Sequence, residues 1–252
     1  MYKSFVVSID PDEYQRSFFA KQFGCCRKVF NHYLSEKKLF YEECGEYLSY
    51  NECAHRLTGL KKELTYLKEV DSTALIQSLR NLETAFDRFF KNISGYPKFK
   101  SKNHTVQSYK TMNVNNSIRI NGNKIRLPKV GWIRFHTKQV IRGTITSVTV
   151  KRKASHKYYI SILCKDVPSV KFHENNRSCG VDLGISNFVT INTGEIIAFP
   201  QQNKINYLNK RIRRYQRKLS RKIKYSNNYK KLKIKISSSH EKIHNILDYH
   251  FP

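Results

Sequence analysis

The spacing of hydrophobic residues changes at Gly95, and this change separates two kinds of secondary structure. Before Gly95, apolar residues recur every three or four positions, which is typical of helices with one buried face. After it, short runs alternate apolar and polar residues around turn sequences, which is the pattern of β-strands. This arrangement predicts an α+β fold in which helices precede a group of short strands.

The stretch between Glu13 and Ile93 predicts three helices. Ser49 is the expected N-cap of the second helix, and Asp71 or Ser72 that of the third, because their side chains accept hydrogen bonds from unpaired amides. Gly95 lies past the end of the third helix, where glycine favours termination. The first helix carries a predicted apolar face of Tyr14, Phe18, Phe19, Phe23, Cys26, Phe30 and Tyr33.

The other segments predict short strands. Lys3–Ile9 alternates apolar and polar residues, and Asn121-Gly122-Asn123 separates two alternating runs as a hairpin turn does. Further strands are expected at Ile133 and Phe135, at Thr144–Val150 and at Tyr158–Cys164, the last two as a pair. Many short strands at regular spacing predict a small β-barrel.

Charge is the strongest indication of function. The net charge is +28, and the stretch from Gly95 to Lys165 contains basic residues but no acidic one, whereas the helical stretch is nearly balanced. A globular protein with such a field binds a polyanion, and nucleic acid fits best because Lys and Arg neutralise phosphates. Two alternatives to nucleic-acid binding are considered. Binding to a membrane surface is disfavoured because no amphipathic helix has a purely basic polar face. The other alternative is a basic surface that is only solvated and binds no partner.

The candidate phosphate contacts lie in three places: the Pro97 junction, the strands and their turns, and a long helix predicted from Lys204 to about Ile236 with interleaved tyrosines. They are Lys98, Lys100, Lys102, Arg119, Lys124, Arg126, Lys151, Arg152, Lys153, Arg211, Arg213, Arg214 and Arg217.

Three segments carry a family resemblance. The sequence GVDLGISNFVTINTGEII, from Gly180 to Ile197, resembles the first catalytic motif of the RuvC-like nuclease domain in TnpB proteins, the OrfB-type transposases of insertion sequences. Ala85–Phe90 and Gly95–Lys100 resemble the junction between the helical lobe and barrel of that family, which is related to type V CRISPR effectors. The order of strand, helices, barrel and nuclease also matches along essentially the whole chain.

The resemblance implies a domain plan and an activity. Residues 1–12 and 95–175 would form a wedge or OB-like barrel, and residues 13–94 a helical recognition lobe, also described as helix-turn-helix. Residues 176–252 would form an incomplete RNase H-like (RuvC) domain. Such proteins bind a guide RNA and cut DNA, so the implied partners are guide RNA and DNA, with no membrane and no small-molecule substrate. A prokaryotic cytoplasm, at the nucleoid, is the implied location.

The chain departs from the family pattern at the catalytic site. RuvC-like chemistry uses three carboxylates to hold two Mg²⁺ ions. Asp182 matches the first, but the second glutamate, the third aspartate and the zinc ribbon have no match, so no zinc site and no stable Mg²⁺ binding are expected. Glu241 and Asp248 fall in a helical region, and Glu195 on a surface turn.

Three functions remain open. The first is a truncated TnpB-type protein that binds guide RNA and DNA without cleavage. The second is a nuclease-dead regulator that occupies DNA, and the third is a transposase that binds DNA through a helix-turn-helix.

The six cysteines form no CxxC pair and are expected to be reduced core thiols. The N-terminus lacks the apolar segment of a signal peptide, and no apolar run is long enough to span a membrane. The oligomeric state stays open.

Overall fold

The structure is a computed structural model that describes residues 1–103, 106–169, 178–184, 188–199 and 201–250, with the backbone alone at 249 and 250. The chain divides into two compact units. The N-terminal unit contains Met1–Lys153 and Lys157–Pro168, and the C-terminal unit contains Ala154–His156 and Ser169–Pro252. The predicted domain boundary at 175–176 lies outside the described residues.

The helices of the N-terminal unit begin at capping side chains. They are α1 (Glu13–Cys44), α2 (Tyr50–Glu63) and α3 (Ser72–Phe90), with one turn of 3-10 helix at Thr65–Lys68. Asp12 and Gln15 form a reciprocal cap for α1, and Ser49 and Glu52 form one for α2. Asp71 caps α3 by accepting a hydrogen bond from a backbone amide of its first turn. Each cap satisfies amides that have no partner inside the helix.

Two details of these helices differ from the sequence prediction. Tyr14, in the first turn of α1, is 70% exposed, although the other six residues of the predicted apolar face are buried. The left-handed residue after α3 is Asn92, with φ 54°, and Gly95 does not adopt that conformation. Asparagine tolerates left-handed backbone because its short side chain can hydrogen-bond locally, so it replaces glycine here.

Seven strands form one antiparallel sheet in the order β2-β6-β7-β1-β5-β4-β3. They are β1 (Lys3–Asp10), β2 (Gln107–Met112), β3 (Arg119–Asn121), β4 (Lys124–Leu127), β5 (Gly131–His136), β6 (Thr144–Arg152) and β7 (Tyr158–Lys165). The predicted hairpin forms between β3 and β4, and Gly122 in its turn has φ 55°. β6 pairs with β7 as predicted. The first strand lies in the middle of the sheet, so the three helices are an insertion between β1 and the other six strands.

The helices and the sheet share one hydrophobic core. The Phe19 ring of α1 lies 5.6 Å from Tyr158 of β7 and 6.2 Å from Tyr109 of β2, measured between ring centroids. A buried polar contact adds to this packing, because the Thr111 hydroxyl of β2 donates a hydrogen bond to the Asp71 carboxylate at the start of α3. The inner side chains of the sheet are therefore buried, and every second residue of a strand points outward.

The C-terminal unit contains a small sheet and a helical hairpin. Its elements are β8 (Val181–Asp182), β9 (Val189–Ile191), β10 (Ile196–Ile197), α4 (Gln202–Ser220) and α5 (Asn227–His250), with strand order β10-β9-β8. The stretch predicted as helical from Lys204 to about Ile236 is helical except at residues 221–226, which separate two helices. Ser226 accepts a hydrogen bond from the Tyr229 amide (3.2 Å) and starts α5. The reversal lets Leu208 of α4 pack against Ile246 of α5.

Candidate nucleic-acid interface

The outward side chains of β3, β4 and β5 form a basic surface. Arg119 is the cross-strand partner of Arg126, and Arg126 is that of Trp132. Lys124 is paired in the same way with Arg134. All five residues are exposed, since the residues between them in β4 and β5 point into the core. Cross-strand partners share one face of a sheet at about 5 Å between Cβ atoms. These five residues are the outer basic face.

The outer basic face has little internal compensation for its charge. Arg119 lies opposite Arg126 and Lys124 opposite Arg134, and like charges directly opposite each other are unfavourable. The seven strands contain one carboxylate, Asp10, which is the cross-strand partner of Arg134. Its carboxylate is hydrogen-bonded to the His136 ring at 2.8 Å. A bound polyanion would therefore relieve repulsion on this face.

The basic turn between β6 and β7 is divided between two sides of the sheet. Lys151 is exposed and is the cross-strand partner of Tyr159, on the outer side. Lys153 lies beyond the strand, with its Nζ 4.2 Å from the centroid of the Tyr159 ring. Arg152 pairs with Tyr158, whose side chain is buried on the inner side. The alternation of the strand thus separates Arg152 from its two neighbours.

The three lysines of the Pro97 junction also differ. Lys98 and Lys102 are exposed. The backbone of Lys100 is held by Asn31, whose side chain accepts from its amide (2.8 Å) and donates to its carbonyl (2.9 Å). Although residue 100 as a whole is exposed, its Nζ lies 3.8 Å from the centroid of the Phe30 ring, and burial lowers the pKa of this ammonium. Lys100 lines a pocket of about 230 Å³.

The predicted arginines of the C-terminal unit lie on α4. Arg213, Arg214 and Arg217 are exposed, on the side away from the buried Ile212. Arg211 Nε donates a hydrogen bond of 3.0 Å to the hydroxyl of Tyr215, which lowers the pKa of that hydroxyl. Three of the four guanidinium groups therefore lie on one exposed helix surface. Arg211 and Arg214 both lie over the Tyr215 ring, at 5.4 and 5.7 Å from its centroid.

Asp182 is placed at the end of the short strand β8, in register with Thr190 of β9, and is exposed. Residues 185–187 of the GVDLGISN sequence lie outside the described residues. Glu195 is exposed between β9 and β10, and Glu241 and Asp248 lie in α5, as the sequence predicted.

The described surroundings of Asp182 do not fit a pair of Mg²⁺ ions. In the part of the chain that the structure describes, no three His, Cys, Asp or Glu side chains come together as metal ligands. Mg²⁺ needs several oxygen ligands in near-octahedral geometry, and one carboxylate does not supply them.

Two residues of the outer basic face, Trp132 and Arg134, were not predicted from the sequence. Both alternate with Ile133 and Phe135, which the sequence did predict as a strand, so their outward direction could have been inferred from the same alternation. Their alignment with Arg126 and Lys124 depends on the pairing of β4 with β5, which the sequence did not specify.

Two OrfB family models match the chain. One, described as "Probable transposase", matches residues 161–251, and the other, described as "Helix-turn-helix domain", matches residues 1–46. The chain belongs to the OrfB/TnpB family. In this TnpB-type chain, residues 1–46 contain β1 and the single continuous helix α1, and the second helix starts only at Tyr50. The matched helix-turn-helix region therefore contains one helix.

Two curated relatives align with almost the whole chain. "Putative RNA-guided DNA endonuclease InsQ" of Escherichia coli (strain K12) is 32% identical over 246 residues, covering 97% of this chain. "Putative RNA-guided DNA endonuclease" of Streptomyces pristinaespiralis is 31% identical over 246 residues, covering 96%. The alignments cover 60% of each relative, so the chain spans about 60% of their length.

Solved structures resemble the chain only weakly. "Cryo-EM structure of CRISPR-Cas12f Ternary Complex" has a TM-score of 0.43 and 15% identity, and the match covers 92% of this chain and 57% of that one. "Cryo-EM structure of the Cas12f1-sgRNA-target DNA complex" has a TM-score of 0.35 and 13% identity, covering 97% and 65%. In the described residues, no helix is long and apolar enough to cross a membrane.

Proposed function

We propose that the chain binds a guide RNA and DNA as a TnpB-type protein, mainly through phosphates, and that by itself it does not cleave DNA. The observation that carries this proposal is the outer basic face, where four cations lie in cross-strand register with one tryptophan. The two curated relatives both carry the name "Putative RNA-guided DNA endonuclease", which supports the assignment of RNA and DNA as partners.

The proposal assigns a role to each unit. The seven-stranded sheet would be the wedge-type barrel, with α1 to α3 as the recognition lobe, and the C-terminal unit would be the start of a RuvC-like domain. Asp182 would be the first carboxylate of the nuclease site, which in the complete family pattern holds Mg²⁺. A transposase that binds DNA through a helix-turn-helix is less favoured, because α1 continues without a turn through residues 13–44.

The salt dependence of RNA binding tests the proposal. The probe is a fluorescein-labelled structured RNA transcribed from the end of the encoding element, and anisotropy gives Kd between 50 and 200 mM KCl. Each phosphate contact contributes roughly 0.9 to the log-log slope on a duplex. Replacing the four cations of the outer basic face with Ala should weaken binding and reduce the slope by about 3 to 4.

The control variant removes the same number of charges from the helical region, by replacing Lys28, Lys62, Lys68 and Lys91 with Ala. All four control residues are exposed. Its slope should stay close to that of the unchanged chain. A flat salt response of the unchanged chain, or equal losses in both variants, would refute a localised phosphate-binding face.

Incubation with divalent metal tests the absence of cleavage. The 252-residue chain, the same RNA and a supercoiled plasmid that carries a matching target are incubated with Mg²⁺ or Mn²⁺. The plasmid should remain supercoiled, because the described surroundings of Asp182 do not supply a ligand set for two metal ions. Linear product that disappears with Asp182→Ala, in a variant that still binds RNA, would contradict the proposal.

A further inference from the structure

The outer basic face contains the single tryptophan of the chain, Trp132. Its side chain is 45% exposed, although Ile133 and Phe135 in the same strand are 1% and 4% exposed. The backbone around it is fixed, because the Trp132 carbonyl accepts a hydrogen bond of 3.0 Å from Gln15 Nε2 at the start of α1. A large aromatic ring is thus held on a rigid strand and presented outward.

The neighbours of this ring are cations. Arg126 is its cross-strand partner on β4, and Arg119 follows in the same row on β3. Arg134 lies two residues further along β5 and therefore on the same face. An aromatic surface that binds an apolar protein partner is surrounded by apolar residues, whereas Trp132 has arginines beside it on β4 and along β5, with the carboxylate of Asp10 opposite Arg134.

Such an arrangement matches the two chemical parts of a nucleotide. The face of an indole ring stacks on a base, and guanidinium groups on both sides contact the adjoining phosphates. A base inside a duplex has both faces covered by its neighbours, so the ring can stack only on an unpaired base.

We propose that Trp132 stacks on an unpaired base of the bound nucleic acid, with Arg126 and Arg134 on the flanking phosphates. This inference rests on the proposed function and adds a preference of the outer basic face for single strands.

Intrinsic fluorescence excited at 295 nm tests the proposal, because tyrosine absorbs little at that wavelength and Trp132 is the single tryptophan of the chain. The probes are a ten-nucleotide single-stranded RNA without self-complementarity, the DNA of the same sequence, and an RNA duplex of about thirty base pairs that holds that sequence in its interior, so that few binding sites lie at the exposed terminal pairs. Each carries a fluorescein label, so that anisotropy reports occupancy independently. At equal occupancy, the single strands should quench the fluorescence of Trp132, and the duplex should leave it unchanged. Comparing the quenching by the single-stranded RNA with that by the single-stranded DNA shows whether the sugar affects stacking on Trp132.

Two substitutions separate stacking from folding. Trp132→Leu should weaken single-strand binding roughly five- to a hundredfold and leave duplex binding unchanged, since stacking is lost but the cations stay. Trp132→Phe should retain most of the affinity. The matched control is Tyr66→Leu, at a residue that is 42% exposed in the helical region, and it should have no effect.

The outcomes distinguish this inference from the proposed function. Saturating single-strand binding without quenching, or an equal loss for strand and duplex with Trp132→Leu, overturns the stacking role while leaving phosphate binding intact. Absence of salt-dependent binding to all three probes would instead refute the proposed function, and the stacking role with it.

Discussion

At the scale of single residues, the six cysteines differ in reactivity because they differ in burial. Cys44 and Cys179 are exposed, so the expectation of core thiols was wrong for these two. The other four are buried: Cys25, Cys26, Cys53 and Cys164. Burial raises the pKa of Cys26 to about 12 and that of Cys53 to about 11. Because the thiolate is the reacting form, a raised pKa reduces the reactive fraction at neutral pH.

We therefore expect two fast thiols when the native chain is treated with Ellman's reagent at pH 8. The remaining four should react only in denaturant, where burial no longer raises their pKa. Cys44→Ser and Cys179→Ser should each remove one equivalent from the fast phase. A third fast equivalent in the native chain would contradict the burial of the core thiols.

At the scale of secondary-structure elements, the N-caps of α2 and α3 use similar chemistry in different surroundings. The cap formed by Ser49 is exposed at the surface. Asp71 is 5% exposed, and its carboxylate accepts hydrogen bonds from the Thr73 amide and hydroxyl and from the Thr111 hydroxyl. Removing Asp71 therefore leaves buried donors without an acceptor as well as an uncapped helix.

We expect Asp71→Ala to lower the free energy of unfolding by about 2–4 kcal/mol, which combines a lost cap with unsatisfied buried donors. Ser49→Ala should cost about 1 kcal/mol, because water can replace the cap. Asp71→Asn should fall between the two, since the amide oxygen still accepts. Urea unfolding followed by circular dichroism measures all three. Equal costs for Asp71→Ala and Ser49→Ala would show that the contact with β2 adds no stability.

The elements that sequence predicted best are those specified by local residues. The Asn121-Gly122-Asn123 turn fixed the β3–β4 hairpin, and Ser49 marked the start of α2, because each depends on a few neighbouring positions. The break at residues 221–226 was missed, since it depends on packing between the two ends of the helical hairpin. The alignment of Trp132 with Arg126 was missed for the same reason, since strand register is a tertiary property.

At the scale of the whole molecule, the two units bury very different amounts of apolar surface. The N-terminal unit contains one core that joins three helices to seven strands. In the small sheet of the C-terminal unit, by contrast, Val181 is 55% exposed, Leu183 73% and Ile196 57%. Burial of apolar surface offsets the entropy lost when a segment becomes ordered, and exposed side chains contribute little to that balance.

We expect this small sheet to open locally at a much lower free energy than the core of the N-terminal unit. Hydrogen exchange measured by mass spectrometry, without RNA, should show amides of residues 188–199 exchanging orders of magnitude faster than those of α3 between Leu75 and Phe90. Limited proteolysis under the same conditions should leave a resistant fragment that ends near Pro168, where the N-terminal unit ends.

The helical hairpin provides the internal control for this comparison. Leu208 and Ile246 are 4% and 7% exposed, so amides near them should exchange more slowly than those of the small sheet, although all belong to the same unit. If amide exchange rates were set by the C-terminal unit as a whole and not by local burial, the helical hairpin and the small sheet would exchange at the same rate. If amides of residues 188–199 exchanged as slowly as those of α3, the exposed side chains of Val181, Leu183 and Ile196 would have to become buried in solution. An exchange rate that depends on protein concentration would then identify self-association along the open edge of the sheet as the cause.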